Sequence, residues 1–168
     1  WKFRKNFKKN YLVMTSFSIC IPTFNRTIHL NNCLKSIRMA KKDSKIKFDV
    51  CISDNNQNNS NKKIVQKYKK FFKIKYYKNK NNIGRSLNML KAVSLSKSDF
   101  VWLVGDDDLI LPNSILRIKK ILDKHNIDFL YVNSFSLNIS SIKSIKNTNI
   151  KSILRNSKMT KFSNYENS

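Results

Sequence analysis

Short apolar runs, each followed by a segment whose apolar residues recur every three or four positions, narrow the folds open to this chain more than any other feature. "FSICIP" (17–22) is a β-branched run closed by proline and reads as a buried strand. Leu30, Cys33, Leu34 and Ile37 then fall at helical spacing, which predicts an amphipathic helix over about 27–40. Ile46, Phe48, Val50 and Ile52 alternate through "IKFDVCIS" (46–53), a second strand, and Ile64, Tyr68, Phe71 and Phe72 mark the next helix face. A short strand is expected over 74–79, followed by a helix whose inner face carries Ile83, Leu87, Leu90 and Val93. "FVWLV" (100–104) is apolar throughout, as expected of a strand covered on both faces. Pro112 suits a first helical turn, and Ile115, Ile118 and Leu122 continue that helix. "IDFLYVN" (127–133) reads as a fifth strand. Strand and helix alternating in this way predict an α/β fold with a doubly wound, mostly parallel sheet. Ligands of such sheets bind at the carboxyl ends of the strands. "PTFNR", "SDNNQNN" and "GDDD" all lie at those ends.

The last of these is the most unusual stretch. Three of the chain's ten acids, Asp106, Asp107 and Asp108, stand side by side although basic residues outnumber acids 34 to 10. One carboxylate suffices for a helix N-cap, and Asp108 or Asn113 would serve. Three suggest a divalent cation site, since Mg²⁺ or Mn²⁺ takes one or two carboxylates together with phosphate oxygens.

The net charge of +24 does not by itself imply a nucleic-acid partner. The basic residues are nearly all Lys, with only six Arg, and are spread along the chain rather than gathered on a module. No specific nucleic acid is expected, whereas attraction to anionic lipid headgroups is. No apolar run approaches the roughly 20 residues needed to span a bilayer. Cys20, Cys33 and Cys51 are odd in number and sit in apolar patterns, so they read as reduced, buried thiols. With no secretory signal evident, the expected location is cytoplasmic, peripheral to the inner face of the membrane. Only two glycines occur, and "IPTFNRTIHL" has none, which argues against a P-loop ATPase, a dinucleotide-binding domain or a nucleotidyltransferase with a Gly-rich phosphate loop.

The runs "SICIPTFNR", "ISDNNQ", "NIGRSLNMLKA" and "SDFVWLVGDDDLILP", in that order over residues 16–130, resemble the family 2 glycosyltransferases of GT-A fold. The resemblance implies a nucleotide-diphosphate sugar donor, a UDP-sugar above all, a divalent cation, and a glycan or lipid-linked acceptor such as a growing surface polysaccharide. It places Pro22, Thr23 and Asn25 in the first loop near the nucleotide. Asp54 matches the acid that faces the base, where a carboxylate can accept from a uracil N–H. The "DNNQNN" that it opens is equally rich in turn formers. Gly84, Arg85 and Asn88 match a helix start bordering the nucleotide. It assigns the metal to Asp106, Asp107 and Asp108, and places the first two by the nucleotide sugar as well. The family's Asp-x-Asp fits Asp106 and Asp108 by spacing, but Gly105 and Asp107 when registered from Pro112.

An inverting transfer also needs a general base. None is nominated: Asp123 and Asp128 flank the end of the fourth helix, Glu166 lies near the chain end, and His29 and His125 read as structural. The expected organisation is an extraneous segment over 1–13, with Met14 as a natural domain start, a nucleotide-sugar-binding domain over 14–133, and an incomplete acceptor-side segment over 134–168. The alternative to an active transferase is a truncated, non-catalytic remnant that at most binds the nucleotide sugar.

Overall fold

The structure is a computed structural model that describes residues 15–41 and 46–134. The expected segments 1–13 and 134–168 lie outside the described residues, except Asn133's neighbour Ser134. Four strands, β1 (Phe17–Thr23), β2 (Asp49–Asp54), β3 (Lys73–Lys78) and β4 (Phe100–Leu103), form one parallel sheet in the order β3-β2-β1-β4. Helices α1 (Thr27–Lys41), α2 (Ser60–Tyr68), α3 (Arg85–Ser94) and α4 (Ser114–Lys124) alternate with them.

The two central strands are covered on both faces. Ile19, Ile21, Val50 and Ile52 point to one face and Cys20 and Cys51 to the other, and all six are fully buried. α3 closes the cysteine face through Ala92, whose small side chain lets the helix approach closely. α1 packs with α2 and α4 and buries Leu30, Cys33, Leu34 and Ile37, the predicted stripe. α4 buries Ile115, Ile118 and Leu122, also as predicted, but begins at Ser114, so Pro112 lies in the preceding turn. Phe17, Phe48, Phe72 and Tyr68 form a stacked aromatic row with ring centroids 5.5 to 6.2 Å apart. The three cysteines are free and buried.

Three expectations are corrected. α3 does not bury Leu87 and Leu90, which are 58% and 64% exposed, but Asn88 and Ala92. A polar network, described below, turns this helix by one side-chain position. Among the described residues β4 pairs with β1 alone, and Val101 and Leu103 are 37% and 40% exposed, so it is not a strand covered on both faces. Residues 127–133 form no strand. Phe129 and Tyr131 are about three-quarters or more exposed, at 79% and 75%. A short apolar run makes a strand only where a neighbouring backbone supplies the ladder. Among the described residues no helix is long and apolar enough to cross a membrane.

Candidate functional site

β1 has β2 on one side and β4 on the other, so the sheet's order reverses between β1 and β4. The crevice at the carboxyl ends of those two strands is where an open α/β sheet binds its ligand. The loops meeting there are residues 24–26 and 105–110.

The first loop leaves the sheet without breaking it. The β1–β4 pairing ends at Cys20↔Leu103, with Val104 N donating to the Cys20 carbonyl, so Pro22 needs no N–H on that side. Thr23 is 2% exposed and joins both halves of the crevice. Its hydroxyl donates to Asp106 Oδ2 at 2.7 Å, and its carbonyl accepts from Asn55 N at 3.0 Å and Asn88 Nδ2 at 3.1 Å. Asn25 adopts left-handed φ of 54°, a conformation asparagine tolerates better than most residues. That turn brings Arg26 to the start of α1, where its carbonyl accepts from Leu30 N.

The second loop holds the acids in three different environments. Asp106 is buried, with Thr23 on Oδ2 and Arg26 Nη1 at 3.5 Å from Oδ1. Burial pushes its carboxyl above the usual carboxylate range, against the pull of Thr23 and Arg26. Asp107 is exposed and meets the same Arg26 Nη1 at 2.6 Å. Asp108 folds back, its Oδ2 accepting from Gly105 N at 2.8 Å. Gly105 suits this curl: a Cβ there would stand 2.8 Å from Asp107 Oδ1 and 3.0 Å from Asp108 Oδ2, so both carboxylates would have to shift. α1 pins the loop from below. Cys33 Sγ reaches the Gly105 carbonyl at 3.7 Å, and Ser36 Oγ accepts from Ile110 N at 2.9 Å. Burial first, then the three carboxylates, raise the Cys33 thiol well above its ordinary value, so it stays neutral.

Among the described residues no three His, Cys, Asp or Glu side chains converge on a common point. Asp106 and Asp107 do converge as a pair, since both reach one arginine nitrogen. Two carboxylates addressing one cation are the donor set that Mg²⁺ or Mn²⁺ takes when phosphate oxygens and water complete its shell. An open hollow of about 330 Å³, lined by Arg38, Lys67, Tyr68, Lys70 and Phe71, includes none of these acids.

The model of glycosyl transferase family 2 matches residues 18–167, most of the chain. The chain belongs to that family. It is 33% identical over 108 residues to the abequosyltransferase RfbV of Salmonella typhimurium, covering 63% of this chain and 32% of the relative. It is 30% identical over 121 residues to a Campylobacter jejuni GalNAc(5)-diNAcBac-PP-undecaprenol beta-1,3-glucosyltransferase, covering 71% and 37%. The chain thus spans about a third of the length of these curated relatives. The fold matches that of Staphylococcus aureus TarS, at a TM-score of 0.61 and 22% identity, over 71% of this chain and 38% of that one. A mannosyltransferase from Pyrobaculum calidifontis, solved with GDP-Man and Mn²⁺, matches at 0.54 and 16% identity, over 70% and 37%. The architecture is the GT-A fold of these transferases.

Beside the acidic loop, this family 2 domain carries a buried amide network that the sequence reading missed. Asn79, immediately after β3, uses Nδ2 on Ser53 Oγ at 3.1 Å, Asn55 Oδ1 at 2.8 Å and Asn88 Oδ1 at 3.1 Å. Asn55 Nδ2 passes on to Asn82 Oδ1 at 2.8 Å and the Gly84 carbonyl at 3.3 Å. The network ties the ends of β1, β2 and β3 to the N-terminus of α3. Gly84 is the N-cap of α3, with φ 80° and ψ 169°, a backbone region open essentially to glycine. Arg85 follows it and is exposed. Asp54 is fully buried: Oδ1 accepts from Asn56 N and Asn61 Nδ2, and Oδ2 from the Tyr76 hydroxyl at 2.7 Å. In this arrangement Asp54 organises the loop after β2 and does not open onto solvent. Arg26 and Asn55 lie inside the runs "PTFNR" and "SDNNQNN" but were not singled out there, and Asn79 carried no distinguishing signal in a chain so rich in Asn.

Proposed function

We propose that this domain binds a nucleotide-diphosphate sugar, a UDP-sugar first among them, and passes the sugar to a glycan or lipid-linked acceptor with the help of Mg²⁺ or Mn²⁺. The observation that carries the reading is the convergence of Asp106 and Asp107 on one cation at the switch point of the sheet, locked to the β1 loop through Thr23. Staphylococcus aureus TarS, of the same fold, has been solved with UDP and with UDP-GlcNAc.

Asp106 and Asp107 would hold the metal, and Asp108 acts as the turn that presents them. A divalent cation supplies stabilisation of the negative charge that grows on the departing diphosphate. The protein's part is preorganisation. Thr23 fixes Asp106 before any ligand arrives, and Gly105 leaves room for the loop to curl. Pro22, Asn25, Asp54, Gly84, Arg85 and Asn88 shape the nucleotide side. Asp54 and Asn88 act through the backbone they anchor, while Gly84 and Arg85 border the pocket from the start of α3. No general base is assigned: Asp123 is engaged by Lys119 and by the Thr15 amide. The Lys-rich surface supports a peripheral contact with anionic lipid, near a lipid-linked acceptor.

Calorimetry of UDP with and without Mn²⁺ tests the reading. The expected result is UDP binding that depends on Mn²⁺ and is lost when Asp106 and Asp107 are both replaced by Asn. UDP affinity indifferent to both metal and replacement, in a chain with a normal melting transition, would refute it.

A further inference from the structure

Arg26 is the one side chain cation that pairs with Asp106 or Asp107 among the described residues, and its position is chemically unfavourable in two respects. It stands at the N-terminus of α1, where the helix dipole disfavours positive charge, and α1 carries no acid in its first turn to offset it. It is also delivered there by Asn25 in left-handed backbone, a conformation that costs free energy in any residue but glycine. The chain nevertheless places its guanidinium with Nη1 between two carboxylates, at 2.6 and 3.5 Å. The burial of the partners is uneven. The Asp106 side chain is 7% exposed, whereas those of Arg26 and Asp107 are 52% and 53% exposed. The arginine is therefore the outer, removable member of the cluster. Asp106 is the inner one, and a buried carboxylate stripped of its counter-charge is strongly destabilising.

We propose that Arg26 and the divalent cation are alternative occupants of the Asp106–Asp107 pair, so that metal binds by exchange with the guanidinium and not by addition to an open site. The inference rests on the metal reading given above and adds a residue that governs it. Both cations need the same two carboxylates. Arg26 keeps the acidic loop in its binding-competent shape while no metal is present, and scales apparent metal affinity down to the fraction of time that the pair is free of it. The Arg26–Asp107 half of the cluster is exposed, and exposed ion pairs are worth little individually, so metal at modest concentration can displace the guanidinium there while itself neutralising Asp106.

The test is Mn²⁺ binding to the whole chain without nucleotide, read from loss of the free-ion electron paramagnetic resonance signal, for the parent and for Arg26→Gln. Melting in EDTA and in Mn²⁺ is followed alongside. Exchange predicts Mn²⁺ binding about 3- to 10-fold tighter in Arg26→Gln. It also predicts a lower melting temperature for that variant in EDTA, with a larger recovery on adding Mn²⁺ than the parent shows. Equal or weaker Mn²⁺ binding by a folded Arg26→Gln, with the parent binding normally, overturns the exchange and leaves the metal reading standing. Failure of both folded chains to bind Mn²⁺ without nucleotide overturns the exchange, and the metal reading then stands or falls by the calorimetry with UDP.

Discussion

Replacing Asn79 puts the amide network to its hardest test. Asn79 is 4% exposed and is the donor on which Asn55 Oδ1 and Asn88 Oδ1 depend. Neither partner can turn its own amide round to compensate. Asn55 Nδ2 is committed to Asn82 Oδ1 and the Gly84 carbonyl, and Asn88 Nδ2 to the Thr23 carbonyl. Asn79→Leu keeps the branched outline of the side chain with bulkier methyl ends, leaves no room for a replacing water, and strands both oxygens. Each stranded buried acceptor costs about 1–3 kcal/mol, so a loss of about 2–6 kcal/mol is expected for the two. For a chain of this size that corresponds to roughly 4–24 °C in melting temperature. Asn79→Asp should be worse at neutral pH, because a buried carboxylate then faces two acceptors with no cation beside it. Its folded-state pKa would be raised, so its penalty should shrink as pH falls and the carboxyl regains a proton that it can donate. Thermal or urea melts at pH 7 and pH 5 measure both effects. If both variants melt within about 1 °C of the parent, or Asn79→Asp shows no recovery at the lower pH, the network does not hold the strand ends together as described.

Asp106→Asn, in EDTA, should leave the chain at least as stable as the parent near pH 7. Burial raises the Asp106 carboxyl, so the folded chain holds that proton more readily than the unfolded one, and ionisation costs stability as pH rises through the raised value. The advantage of the variant should shrink towards pH 4 in melts across that range, and Mn²⁺ binding should be lost. Gly105→Ala should change the melting temperature little, because the atoms that its Cβ meets are side-chain ends, yet weaken Mn²⁺-dependent UDP binding at least several-fold in calorimetry. Gly84→Ala meets no atom within 4 Å, so its expected cost of about 1–3 kcal/mol in a denaturant melt is purely that of the backbone conformation.

Much of this domain could be read from local pattern. The stripes Leu30–Cys33–Leu34–Ile37 and Ile115–Ile118–Leu122 are buried as their spacing requires, because a helix that packs on a sheet repeats its inner face every three or four residues. The alternation of strands and helices sufficed for a parallel sheet, and a parallel sheet brings the ends of β1 and β4 to one crevice. The triplet was visible as a concentration of charge that needs a cation. α3 was misread for a physical reason: Leu87 and Leu90 look like a core face, but the polar demands of Asn79 and the Thr23 carbonyl turn Asn88 inward instead. Residues 127–133 were misread because an apolar run describes side chains and says nothing about a partner strand.

The sequence alone determined the order of the elements from β1 to α4 and the end of the sheet at which the first loop and the acidic loop meet, since both follow from short-range periodicity and the handedness of βαβ connections. Only the tertiary structure decided that Asp106 turns inward to Thr23, that Asp107 shares Arg26 with it, and that Asp108 closes on Gly105. The first two roles depend on contacts between residues some 80 positions apart, where folding sets the distances. Three identical neighbours in the chain acquire different chemistry there, because burial and the choice of partner are properties of place.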